Sequence, residues 1–561
     1  MTSAIVVDGT GERPGFRADV IVRDGSIAAL VPPGDGPRRG CEIIDADGLV
    51  LAPGFVDVHT HYDAQLCFEP TASPASWHGV TTVVTGNCGF SLAPSRGEDV
   101  EWLLRSLARV EGMEVATLLE GVDFPGGTMG EYLDRLDEAL GVNVVALAGH
   151  CSIRRLVMGA DASRRTATHD EIEAMCVLLD AALAQGARGF STAQLDVHAD
   201  HEGRPVPSNL AEPGEIVALA SVLARHPGTV AQIAPRSSLP GYSREDLDLL
   251  RAMAKVSGAP VHVNMIDWFP GYTEGWQPNL AAAEQAQREG LRILPMLRAN
   301  PQDLYFRLAD TFVFDDVPAM RAALVLPHAD RCAALADPAT RDDIRRDLTT
   351  VARSIDFGWH QVRVAAVESD RLRANEGRSV LDLDVSPGGD ALDAVLDLAL
   401  ADDLRTLFRI DRSQGPEHLA LRRELAQHPL LVTGASDGGA HLQTFCGADY
   451  PTVMLTELVP DPLSLELAVH KLSGQPAEAV GLRDRGTIRP GAAADLVLLD
   501  PEAVKVRSTR FVNDLPAGGS RLVHEADGYH AVIVNGEVLL RNGEPTGARP
   551  GRVLRSGVNE H

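Results

Sequence analysis

Lysine is nearly missing from this 561-residue chain: only Lys255, Lys471 and Lys505 occur, and the remainder of its 51 basic residues are arginine. Basic charge is scarce altogether, since 78 acidic residues leave a formal net charge of −27. That balance argues against nucleic acid or an anionic membrane as a partner, because binding phosphate needs a basic surface. No apolar run approaches the roughly 20 residues that cross a bilayer. The seven cysteines, odd in number and scattered, make no disulfide framework and are expected as thiols. The first nine residues lack the basic flank and apolar core of a secretion signal, so the cytoplasm is the default expectation. No short-period repeat or low-complexity tract is evident.

What remains is the composition of an ordinary soluble protein, 45% hydrophobic and 23% charged. The length exceeds one ordinary compact core, and a large barrel with a smaller domain is a natural solution. Both ends read as short strands and turns: residues 4–7, 18–22, 26–30 and 42–45 near the N-terminus, 494–499 and 531–534 near the C-terminus. Arg23-Asp24-Gly25 and Asn535-Gly536 carry hairpin-turn chemistry, because glycine adopts positive φ readily. The middle alternates apolar strands (142–147, 186–191, 229–234, 260–264, 291–295, 430–433) with helical patterns (170–185, 215–225, 245–255, 280–289). Such alternation predicts an α/β protein with a parallel (β/α)8 TIM-type barrel. A small β-sandwich domain built from both chain termini, 1–53 and 478–561, would bracket a barrel over 54–477. Residues from about 300 to 428 break the alternation and read as an insertion capping the barrel mouth.

The most informative stretch is Pro53-Gly54-Phe55-Val56-Asp57-Val58-His59-Thr60-His61. Read as a strand, it projects His59 and His61 to one face about 7 Å apart. That spacing suits two imidazoles on one divalent ion, with Zn–N bonds of about 2.0–2.1 Å. Cys88 follows the β-branched run 80–85 and Gly86-Asn87, which places its sulfur at a strand end. It is either a thiolate ligand or a small buried residue of a tight turn. Asp437 follows the apolar run 430–433 among Gly434, Gly438 and Gly439. It is either a ligand and general base or a helix cap. His441 either orients a substrate or bonds Asp437, or is an ordinary loop histidine. His150, after Ala148-Gly149, is a further candidate, and Arg154 and Arg155 behind it either bind a substrate carboxylate or stay solvated.

These residues carry a resemblance. Pro-Gly-Phe-Val-Asp-x-His-Thr-His is similar to the first-strand signature of the amidohydrolase superfamily. Residues 79–89, Gly-Val-Thr-Thr-Val-Val-Thr-Gly-Asn-Cys-Gly, resemble the second-strand motif of its D-aminoacylase (N-acyl-D-amino-acid deacylase) branch. Gly434-Ala435-Ser436-Asp437-Gly438 resembles the last-strand aspartate motif, and residues 489–497 resemble the closing strand of the small domain. The motifs stand in the family's order and span nearly the whole chain. The resemblance implies a zinc-dependent hydrolase of a linear amide, in which a metal-activated water attacks and Asp437 serves as general base. Many relatives bridge two metals with a carbamylated lysine; none of the three lysines here is placed for that, which leaves the position to Cys88.

Two departures limit the match. D-aminoacylases carry metal histidines at the ends of strands five and six, where this chain has Val230-Ala231-Gln232-Ile233-Ala234 and Pro260-Val261-His262-Val263-Asn264. His262 stands early in its strand, as a core position, and Gln232 is a poor zinc ligand. The expectation is therefore a single Zn2+ ion on His59, His61, Asp437 and Cys88. The loop over residues 196–207, rich in histidine and carboxylate, either substitutes a ligand or is merely solvated. Trp268, Phe269, Trp276, Tyr305 and Phe306 are candidates to line a pocket for a small-molecule substrate. Hydrolysis of another amide, ester or carbamate, or a non-catalytic binding barrel, are the competing readings; the oligomeric state, a homo-oligomer included, is left open.

Overall fold

The computed structural model describes residues 1–557 except 38, 197, 268–271, 302, 310, 312, 352, 354, 356, 385–388 and 413–414. The expected positions Trp268 and Phe269 therefore lie outside the described residues. The chain forms two compact units. The larger holds Met1–Asn300, Ala420–Leu442 and Cys446–His561, and the smaller holds Pro301–Leu419 with Gln443–Phe445.

In the larger unit, eight strands pair in parallel in chain order: Phe55–Asp57, Val80–Thr85, Asn143–Gly149, Gly189–Ala193, Val230–Ala234, Val261–Ile266, Ile293–Arg298 and Val432–Gly434. The sheet closes on itself through a parallel bridge between Thr60 and Gly438, so the first and last strands meet just beyond their ends. Nearly every strand residue is buried, as a sheet covered on both faces requires. The helices that follow carry their own start and stop signals. His169–Ala184 begins with a reciprocal cap between Thr168 and Glu171, and Arg244–Ser257 begins at Ser243 and ends at Gly258 in left-handed conformation.

Both termini join one eight-stranded sheet. Ala4–Val6 pairs in parallel with Val50–Pro53, which pairs antiparallel with Leu496–Leu499 from the far end of the sequence. The hairpins at Asp24-Gly25 and Asn535-Gly536 form as their chemistry demands, with positive φ at all four residues. Residues 42–45 contribute no strand, only an isolated bridge from Asp45 to Thr2; the sheet takes Val50–Pro53 instead.

The smaller unit has its own apolar core. Its three-stranded antiparallel sheet joins Leu304–Phe306, Leu407–Ile410 and Val362–Ala366. Phe306 stacks on Phe408 and meets Phe314 edge-on. Phe306 is thus a strand residue of this core, and Tyr305 beside it is also buried. Trp276 opens the helix Trp276–Arg288 of the larger unit and is half-buried. Among the described residues no helix is long and apolar enough to cross a membrane.

Candidate metal centre

The site lies at the carboxyl ends of the barrel strands, where the backbone leaves regular pairing and is tied down bond by bond. The first strand stops at Asp57, so His59 and His61 stand just past it. The Asp57 carboxylate accepts the His59 N–H, and the His61 N–H donates to the Gly438 carbonyl at 2.7 Å. The Asp437 N–H donates to the His59 carbonyl at 3.2 Å, which joins the segments after the first and eighth strands at the candidate ligands.

Cys88 reaches the same place by a sharp turn. Gly86 has φ +79°, and a Cβ there would sit 2.2 Å from the Leu147 carbonyl oxygen, so only glycine fits. Asn87 Nδ2 donates to the Thr60 and Val84 carbonyls, and the Gly89 N–H donates to Ser191 Oγ. The turn is thereby pinned to its own strand, to the segment after the first strand and to the fourth strand.

The ligand atoms of His59, His61 and Cys88 all lie within 4.8 Å of one another, and all three side chains are buried. Cys88 Sγ is 3.5 Å from His59 Nε2. Asp437 Oδ1 is 3.4 Å from His59 Nε2 and 3.8 Å from His61 Nε2. A tetrahedral ion with bonds of about 2.0–2.3 Å separates neighbouring ligand atoms by about 3.3–3.8 Å. His59, His61 and Cys88 thus lie close enough together to suit a zinc-sized ion, with Asp437 beside the two imidazoles.

Burial sets the protonation of these groups. It pushes the Cys88 thiol well above its ordinary range, with the Glu111 and Asp437 carboxylates adding to the effect. Burial lowers His59 to about 3 and takes His61 well below the usual imidazole value. Asp437 is raised to about 6 by burial, against the pull of the Arg298 guanidinium. Neutral imidazoles are the ligating form, and a cation would reverse the thiol's preference by ionising it.

Several residues that carried no motif also belong here. Glu111 follows the helix Gly97–Val110 and is buried with Oε1 3.3 Å from His61 Nδ1. His441 has φ +51°; its N–H donates to the Glu111 carbonyl and its Nε2 lies 3.9 Å from Glu111 Oε2. Arg298, the last residue of the seventh strand, sits 3.6 Å from Asp437 Oδ2 and 3.4 Å from Asp267 Oδ2. Gln232 and Asn264, within strands five and six, are both buried beside Cys88. A polar residue at the end of an apolar strand was the available signal for Arg298. Nothing local marks Glu111.

His150 is placed differently. It opens the helix His150–Met158, and both its ring nitrogens are engaged, Nδ1 with Thr192 Oγ1 and Nε2 with Glu215 Oε1, each at 2.9 Å. Arg154, fully buried, donates from Nε to the same Glu215 oxygen at 2.8 Å. Burial alone would raise the Glu215 carboxyl, but His150 and Arg154 outweigh it and hold it below its usual range. Arg155 pairs with Asp99 and lies over the Trp102 ring. His262 is buried and bonded to the Ala479 carbonyl. In the loop over 196–207, Asp200 accepts the N–H groups of Glu202 and Arg204, and His201 meets Ser106. Lys471 donates to the His428 and Leu431 carbonyls at the opposite, amino end of the eighth strand, far along the barrel from Cys88.

Sequence and structure comparisons point to one family. The profile of the amidohydrolase family matches residues 42–540. N-acyl-D-aspartate deacylase of Alcaligenes xylosoxydans xylosoxydans is 30% identical over 566 residues, covering 99% of this chain and 95% of its own. The structure of N-acyl-D-glutamate deacylase from Bordetella bronchiseptica, solved with zinc and a phosphonate mimic of the tetrahedral intermediate, is similar with TM-score 0.64. It is 26% identical and covers 99% of this chain and 98% of its own. A D-aminoacylase, described as having a binuclear metal centre that one metal activates and a second attenuates, also gives TM-score 0.64. Its identity is 26%, with 99% of each chain covered. The chain belongs to the amidohydrolase family, in its D-aminoacylase-like branch.

Proposed function

We infer that this protein is a metal-dependent hydrolase that removes the acyl group from an N-acyl-D-amino acid or a closely related linear amide. The observation that carries the reading is the convergence of His59, His61, Cys88 and Asp437 at ligand spacing in a buried barrel mouth. The two imidazoles and the thiolate would hold the ion, with Asp437 beside them. A zinc ion there supplies a Lewis acid for the scissile carbonyl and makes water a nucleophile near neutral pH.

The chain's own groups divide the remaining work. Asp437 Oδ1 faces the ligand cluster and is the atom placed to take the proton from the attacking water. The same carboxyl then returns the proton to the leaving nitrogen. Arg298 lies on the Oδ2 side and keeps that oxygen turned away from the cluster. Glu111 faces the far nitrogen of His61, the position from which a carboxylate orients a ligating imidazole. Burial of all these groups excludes bulk water and strengthens each interaction.

The test is release of free amine from a panel of N-acetyl-D- and N-acetyl-L-amino acids by zinc-loaded protein, beside the same protein after chelation. The expected result is turnover of one or more D-substrates, lost on chelation and restored in proportion to zinc returned. Metal bound with silence across the panel would sink the deacylase reading and favour another amide, ester or carbamate. Turnover unaffected by a chelator that demonstrably strips the metal would sink the metal-dependent mechanism.

A further inference from the structure

A hydrogen-bond relay leaves the backbone at Cys88, crosses the fifth and sixth barrel strands and returns to the candidate ligand cluster. The Cys88 N–H donates to Gln232 Oε1 at 2.8 Å, and Gln232 Nε2 donates to Asn264 Oδ1 at 3.1 Å. Asn264 Nδ2 then points at His59 Nε2 and Cys88 Sγ, at 3.1 and 3.7 Å. All four residues are buried.

The direction of this relay is fixed by chemistry. A backbone N–H can only donate, so the Gln232 atom facing it is the oxygen. The other arm of that carboxamide is then its NH2, which demands the Asn264 oxygen. That leaves the Asn264 NH2 facing the histidine and the sulfur. Turning either amide round would set N–H against N–H in a buried place.

We propose that this relay makes the centre a one-ion site and loosens its hold on that ion. The inference rests on the metal-dependent reading above. An amide NH2 has no lone pair to offer a cation, and the Gln232 oxygen is aimed at the Cys88 N–H, which holds one of its two lone pairs. Strands five and six therefore present Cys88 with a donor where a second ion would need ligands. The same donor reaches His59 Nε2, the lone pair that the first ion must take. Binding the ion breaks that hydrogen bond, and the relay competes with the metal for the histidine.

Zinc per chain, counted by native mass spectrometry, and zinc affinity, measured by competition with a chromophoric chelator, test the proposal on the full chain. Wild-type protein saturated with zinc should carry one ion. Asn264→Ala removes the competing donor and adds no ligand, and should tighten zinc binding about tenfold, within the range that neighbours of metal ligands command. Gln232→Glu still accepts from the Cys88 N–H but has no N–H for Asn264. The asparagine should then turn over and present its oxygen to the cluster, tightening zinc by about tenfold or more. Two zinc ions on the wild type, or weaker or unchanged binding in Asn264→Ala, would overturn the proposal and leave the hydrolase reading standing. A wild type that takes up no zinc would remove the metal-dependent reading itself, and this inference with it.

Discussion

Asp437→Asn is expected to lower kcat by about 10²–10⁴-fold while the protein keeps its metal, because general acid–base transfer contributes on that scale. The substitution is well suited to the question. Asp437 sits at φ +53°, a left-handed backbone that asparagine tolerates nearly as well as aspartate. The carboxamide matches the carboxylate in shape, so the bonds that close the barrel at His59 and Gly438 should persist. The proposed ligands His59, His61 and Cys88 remain, and zinc content should stay near the wild-type value. KM should move much less than kcat, since proton transfer matters only as the transition state forms. A kcat within threefold of wild type, with metal bound, would remove Asp437 from the chemistry. Loss of zinc together with activity would assign it to binding the ion alone.

Glu215→Gln is expected to be the most damaging substitution outside the metal cluster, destabilising the barrel by about 3–5 kcal/mol, the cost of breaking a buried ion pair from one side. Glu215 Oε1 accepts from both His150 Nε2 and Arg154 Nε, and all three side chains are shielded from water. Glutamine restores a hydrogen bond but leaves the guanidinium with no counter-charge. The double variant Arg154→Met, Glu215→Leu should recover most of the loss, because replacing both partners with apolar groups leaves no stranded charge. Urea denaturation followed by far-ultraviolet circular dichroism measures both. The kinetics of the folded single variant also decide the role of His150. Unchanged kcat assigns the histidine to scaffolding, whereas a fall in kcat beyond the folded fraction assigns it to the reaction.

The legible parts of the site were those with a short local signature. His59-x-His61 follows an apolar strand, Cys88 follows a β-branched run and a glycine turn, and Asp437 sits among glycines after the last strand. Strand ends put all four at one mouth, which the parallel pairing makes unavoidable. The illegible parts depend on distant partners or on a misleading punctuation mark. Proline lacks an N–H and discourages a central strand, so the sequence reading ends the seventh strand at Pro295. The structure carries it through Pro295 to Arg298, and the arginine beside Asp437 is missed for that reason. Glu111 and His441 meet across 330 residues of sequence, which no spacing argument reaches. The relay through Gln232 and Asn264 is visible only once the two neighbouring strands are in register.

Cys88, Ala435, Asp437 and His441 all hold left-handed backbone angles, between +51° and +59°. Each such residue stores conformational strain of order 1–3 kcal/mol that a glycine would release. Glycine at 88, 437 or 441 would delete a side chain of the proposed site. Heat-tolerance screening with no assay for turnover should therefore enrich glycine at these positions and deliver sturdy, inert barrels. Engineers seeking a robust catalyst from this scaffold must look for added stability elsewhere, in the helices and the terminal sheet.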